Sequence, residues 1–77
     1  MAKEKFTKNS PEWEMFRDFY QICEQFWIPE ASEDYWKQLT EAGDKFVAKY
    51  KNLHPAVVEI VAGFISGCSK KYEESKK

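Results

Sequence analysis

The chain has 77 residues, a formal net charge of −1, two cysteines and one histidine. This length allows a single domain, which buries only about 60% of the surface that its unfolded chain exposes. Cysteine and histidine are too few for a zinc site made of those residues alone. Aromatic side chains make up 17% of the sequence, and each ring buries roughly 150–250 Å². We therefore expect an aromatic core and no cofactor.

Charge is distributed unevenly along the chain. Residues 9–69 hold ten acidic and five basic side chains, whereas most of the lysines lie towards the two ends. A folded nucleic-acid-binding domain usually presents a basic face, so nucleic-acid binding is the less favoured function. We interpret residues 1–9 and 73–77 as flexible tails of a domain that spans residues 10–72.

The most apolar stretch, residues 56–65, contains Glu59 and is much shorter than the ~20 residues that span a membrane. The N-terminal residues lack the apolar core of a signal peptide. We therefore expect a soluble cytoplasmic protein that does not enter the membrane and in which Cys23 and Cys68 are reduced and buried.

Three helices are predicted, over about residues 11–27, 33–50 and 55–72. Ser10 and Pro11 are a typical start for the first helix, and Pro29 ends it. The second helix follows Ser32, and its acidic first turn and basic last turn are what the helix dipole favours. Asn52 and His54 are alternative N-caps for the third helix.

Apolar residues recur at helical spacing in all three segments, and no stretch alternates as a β-strand does. Three helices of similar length joined by short loops predict an all-α, up-down-up three-helix bundle. Trp27 and Trp36 flank the first loop. We expect them to close this corner of the fold; the alternative is an aromatic pocket that binds a ligand.

Little in the sequence indicates catalysis. His54 is expected to cap a helix or face solvent, and both cysteines fall on apolar faces, where thiols are usually inert. Glu14 and Asp18 share one face of the first helix, but this face is predicted to be solvated, so nothing raises a carboxyl pKa there. Phosphate-binding and calcium-binding motifs are missing. We predict no enzymatic activity and no small-molecule substrate.

The first helix carries more apolar surface than one neighbouring helix needs. One seam consists of Trp13, Phe16, Tyr20, Cys23 and Trp27, and a second seam beside it consists of Met15, Phe19, Ile22 and Phe26. Either the two seams face the two other helices, or the second seam contacts another chain.

The third helix contains two glycines, Gly63 and Gly67, on a face of small residues. Each interior glycine destabilises a helix by up to ~1 kcal/mol relative to alanine. Either the chain tolerates this loss, or another helix approaches closely at this face. The candidate interface therefore comprises Met15, Phe19, Ile22, Phe26, Gly63 and Gly67.

A resemblance to other proteins adds little about function. The residues Ser10-Pro11-Glu12-Trp13, Cys23, Pro29, Tyr35-Trp36 and Lys70-Lys71 together resemble short helical bacterial proteins of phages and mobile elements. The resemblance covers most of the chain and implies neither an activity nor functional residues. The predicted function is non-enzymatic protein–protein contact, with an unknown partner or with a second copy in a homodimer. The alternative is a small nucleic-acid-associated regulatory protein.

Overall fold

The computed structural model describes residues 3–76, so Met1, Ala2 and Lys77 of the two predicted tails lie outside the described residues. Three helices form the chain: α1 (Pro11–Phe26), α2 (Glu33–Tyr50) and α3 (Ala56–Ser75). No strand occurs within the described range. The predicted all-α, three-helix class is confirmed, and the bounds of α1 and α2 agree with the prediction to within one residue.

The two serines expected to cap α1 and α2 do so. Ser10 Oγ accepts a hydrogen bond from the backbone N–H of Trp13, and Ser32 Oγ accepts one from that of Tyr35, each at 3.2 Å. The start of α3 lacks such a serine. There, His54 Nδ1 accepts a hydrogen bond from the backbone N–H two residues further on, at 3.0 Å. Neither predicted N-cap, Asn52 or His54, holds that position: the N-cap of α3 is Pro55, and His54 binds a free N–H of the first turn from the residue before it.

The core consists of two clusters of buried side chains, one towards each end of the bundle. The first cluster contains Met15 near the start of α1, Phe46 and Tyr50 near the end of α2, and Val57 and Val61 near the start of α3. The second contains Phe26 at the end of α1, Tyr35 and Leu39 near the start of α2, and Cys68 in the later part of α3. The start of α1 therefore lies beside the end of α2 and the start of α3, which is the up-down-up order.

Helix α2 packs against both other helices, whereas the contact between α1 and α3 is slighter. A close approach of α2 to α3 occurs at Gly43, which is buried. A Cβ atom at this position would lie 2.9 Å from Cγ1 of Val61 and 3.4 Å from Cδ1 of Ile65. Helices α1 and α3 contact each other through large side chains, such as Phe19 and Phe64 with ring centroids 5.9 Å apart, and cavities remain between the two helices.

Residues of both predicted tails continue or contact the helices. Helix α3 continues to Ser75, so residues 73–75 are helical. The ring of Tyr72 packs edge-on against Trp36 with a centroid separation of 5.8 Å, and the Lys and Glu residues around it are strong helix formers. In the N-terminal segment, Phe6 stacks on Phe16 with ring centroids 5.7 Å apart. This contact attaches the segment to α1.

Candidate functional site

The second seam of α1 lies in the core. Met15 and Phe26 are only 6% and 3% exposed. Phe19 packs against one ring of α2 and one of α3, with centroid separations of 5.8 and 5.9 Å. Ile22 packs against both core clusters. The hypothesis that this seam contacts another chain is therefore corrected: its four side chains contact α2 and α3 of the same chain.

The first seam supplies the exposed apolar surface of α1. Phe16, Tyr20 and Trp27 are 48%, 64% and 60% exposed, and Cys23 between them is half-buried. We call these four residues the α1 outer row. Since the second seam reaches both α2 and α3, one apolar seam is enough for the core and the other stays outside. Contiguous exposed rings of this kind usually mark an interaction site.

The small-residue face of α3 is open. A Cβ atom added at Gly63 or Gly67 would meet no other atom within 4 Å. Packing within the chain therefore requires neither glycine, in contrast to Gly43. Ala62 and Ser66 extend the same exposed face. We call Ala62, Gly63, Ser66 and Gly67 the α3 small-residue face.

Two cavities lie between α1 and α3, and we call them together the α1/α3 groove. Its C-terminal part is a cavity of about 250 Å³ lined by Trp27, Gly63, Phe64, Gly67, Cys68 and Lys71. The Trp27 and Phe64 rings are nearly parallel, at 18° and with centroids 6.3 Å apart. Lys71 Nζ lies 5.4 Å from the Trp27 ring centroid and donates a hydrogen bond to the Trp27 carbonyl oxygen at 3.3 Å. The indole is therefore held in place by α3 although its outer surface is free.

The cavity at the other end of the α1/α3 groove is lined by acidic side chains. A cavity of about 260 Å³ lies there, between Phe6, Phe16 and the start of α3. Glu4 and Glu12 line it, whereas Lys71 lines the C-terminal part. The groove therefore has an acidic end and a basic end.

The two tryptophans do not close the first corner together. Tyr35 closes it: its hydroxyl donates a hydrogen bond of 2.7 Å to the Phe26 carbonyl oxygen, and the two rings meet edge to face with centroids 5.5 Å apart. Burial raises the pKa of Tyr35 well above its ordinary value, and the nearby Cys68 raises it further. The hydroxyl thus remains a donor. Trp36 packs against the Tyr35 ring on the inner side of the corner.

Asp18 is not on a solvated face as predicted. Its side chain is 23% exposed and accepts hydrogen bonds from the Tyr50 hydroxyl and from Lys49 Nζ on α2. Burial alone would raise the pKa of this carboxyl, but the bonds from Tyr50 and Lys49 outweigh burial and lower it. A general base that works near neutrality needs a raised pKa, so this cluster has the properties of a structural tie between α1 and α2.

The two cysteines differ in their surroundings. Both are free; Cys68 is buried, whereas Cys23 is half-buried in the α1 outer row. Cys68 Sγ donates a weak hydrogen bond to the Phe26 carbonyl oxygen at 3.7 Å. Burial raises the pKa of Cys23, and Cys68 adds to the increase. The expectation that both thiols are buried is therefore correct for Cys68 and only partly correct for Cys23.

No protein-family model, curated protein or solved structure matches this chain. Within residues 3–76, no three His, Cys, Asp or Glu side chains are grouped as metal ligands would be. In the same range, no helix has the length and hydropathy that crossing a bilayer demands. The α1/α3 groove is thus the candidate functional site on the evidence of its own geometry.

Proposed function

We propose that this protein acts without catalysis, by binding another protein chain along the α1/α3 groove. One observation carries the proposal: three large rings are each about half exposed or more on α1, beside two glycines of α3 that no side chain of the protein covers. Rings that are rigidly held and exposed are the usual anchors of protein interfaces.

The shape of the groove suits a helical ligand. Helices that bind in grooves insert apolar side chains at intervals of three or four residues between two helices of the receptor. On the α1 side, Phe16 lines one cavity of the groove and Trp27 lines the other. On the α3 side, Gly63 and Gly67 carry no side chain, so a ligand backbone can approach α3 closely.

The chemistry of the groove also favours binding over catalysis. Catalysis by Cys23 would need a thiol that ionises readily, but burial and Cys68 raise its pKa. Lys71 is engaged with the carbonyl and ring of Trp27. A cytoplasmic location is part of the proposal. The two free thiols favour it because small secreted domains usually pair their cysteines.

Site-specific photo-crosslinking in living cells tests the proposal. The photoreactive residue p-benzoyl-phenylalanine replaces Tyr20, which is 64% exposed in the α1 outer row. In a matched variant it replaces Gln38, an exposed residue of α2. We expect a discrete crosslinked protein band from the Tyr20 variant and none from the Gln38 variant. No band from Tyr20, or equal bands from both, would overturn the proposed function.

A further inference from the structure

The solvent side of α3 differs from that of α2 in its lack of charge. Exposed positions of α2 carry charges at regular intervals: Lys37, Glu41, Asp44, Lys45 and Lys49. On α3, residues 60–69 include no charged side chain although several of them are exposed. In a chain with 32% charged residues, an uncharged helix surface next to exposed rings indicates that something covers it.

Charges of opposite sign stand at the two ends of this uncharged surface. Glu59 precedes it and Lys70 follows it, and both are exposed. The α1/α3 groove repeats this polarity, with Glu12 at the end beside Glu59 and Lys71 at the end beside Lys70. Because the two ends carry opposite charges, two copies of this surface placed antiparallel bring each negative end next to a positive end.

Six exposed residues of α3 form pairs about the midpoint between residues 64 and 65. Three pairs lie at equal distances from this midpoint: Glu59 with Lys70, Ala62 with Gly67, and Gly63 with Ser66. Two α3 helices packed antiparallel about a two-fold axis at the midpoint therefore place each Glu59 opposite the Lys70 of the other copy. Small residues then meet only small residues between these charge pairs, so the backbones can approach closely.

We propose that the partner is a second copy of the chain that packs against the α3 small-residue face, beside the α1/α3 groove, with the two α3 helices antiparallel and Glu59 of each copy paired with Lys70 of the other. This inference rests on the proposed function and names the partner of the same site.

Charge exchange with sedimentation equilibrium tests the pairing. We expect the wild-type chain to form a dimer. Glu59→Lys alone and Lys70→Glu alone each place like charges together at two symmetric positions, so each should raise the dimer Kd by about tenfold or more. The double variant, which carries both changes, should restore the Kd to near the wild-type value.

The design separates charge pairing from effects on the single chain. Glu59→Lys also removes an acidic residue from the first turn of α3, where the helix dipole favours it, but the double variant shares this loss. Glu41→Lys, at an exposed position of α2, is a matched control that should leave the Kd unchanged. Circular dichroism should show the same helix content in all four variants.

Three results would overturn the proposed partner and arrangement: a monomeric wild type at all concentrations, a Kd that the double variant does not restore, or an equal effect of Glu41→Lys. A monomeric wild type that still gives a crosslinked foreign protein through residue 20 would leave the proposed function intact. No crosslink and no dimer would reject both.

Discussion

Tyr50, the last residue of α2, donates a hydrogen bond to the carboxylate of Asp18 in the middle of α1, across 32 residues of sequence. Lys49 Nζ approaches the same carboxylate to 3.3 Å. These bonds link α1 to α2 beside the core cluster that contains Tyr50. We therefore expect the ionised carboxylate of Asp18 to contribute to the free energy of unfolding.

Asp18→Asn should reduce the loss of stability that the protein undergoes in acid. Burial raises the pKa of Asp18, but the bonds from Tyr50 and Lys49 lower it more, so the folded pKa is below the unfolded value of about 3.9. The stabilisation is therefore present above pH ~4 and is lost as the pH falls through the folded pKa. Urea unfolding at neutral and acidic pH measures the difference.

Asp44, an exposed residue of α2, provides the control for this experiment. Asp44→Asn should leave the pH dependence of the unfolding free energy close to that of the wild type. If Asp18→Asn and Asp44→Asn change the pH dependence equally, the contact with Tyr50 has no special energetic role.

Tyr35→Phe should destabilise the protein by about 1 kcal/mol, the usual net value of one hydrogen bond. The change keeps the ring against Phe26 but removes the hydroxyl that donates to the Phe26 carbonyl oxygen. Tyr20→Phe, at a position 64% exposed, should leave the unfolding free energy nearly unchanged. Chemical denaturation followed by circular dichroism compares the two variants, and equal effects would refute this role for Tyr35.

The glycines should respond to alanine in opposite directions. At Gly43 a Cβ atom would lie 2.9 Å from Val61 Cγ1, so Gly43→Ala should destabilise the chain by about 1–3 kcal/mol through overpacking. At Gly63 there is free space, so Gly63→Ala should stabilise the monomer by up to ~1 kcal/mol through helix propensity. Thermal unfolding of dilute samples, in which dimers dissociate, measures both changes. Stabilisation of the monomer by Gly43→Ala would contradict the close approach of α2 and α3.

Lysine substitution should separate the two seams of α1. Met15 is 6% exposed and Tyr20 is 64% exposed. Met15→Lys buries an unpaired charge and should unfold so small a domain. Tyr20→Lys should change the unfolding free energy by no more than about 0.5 kcal/mol while it weakens binding at the α1/α3 groove. A folded Met15→Lys variant, judged by circular dichroism, would show that the second seam is not core.

The sequence by itself determined where α1 and α2 begin and end. Ser10 and Ser32 cap the helices that follow them, and Pro29 separates α1 from α2. These signals act between residues a few positions apart, so their outcome is independent of how the helices pack. The extension of α3 to Ser75 escaped prediction because it depends in part on the distant contact between Tyr72 and Trp36.

Only the tertiary structure decided which seam of α1 faces inward. Both seams are apolar and both have helical spacing, so local pattern cannot rank them. The choice follows from the packing of the second seam against both α2 and α3, which buries Met15 and Phe26 and leaves Tyr20 and Trp27 outside. Asp18 is a similar case, because its partner Tyr50 is 32 residues away. The position of a helix face relative to the core depends on contacts between distant parts of the chain, which helical periodicity does not encode.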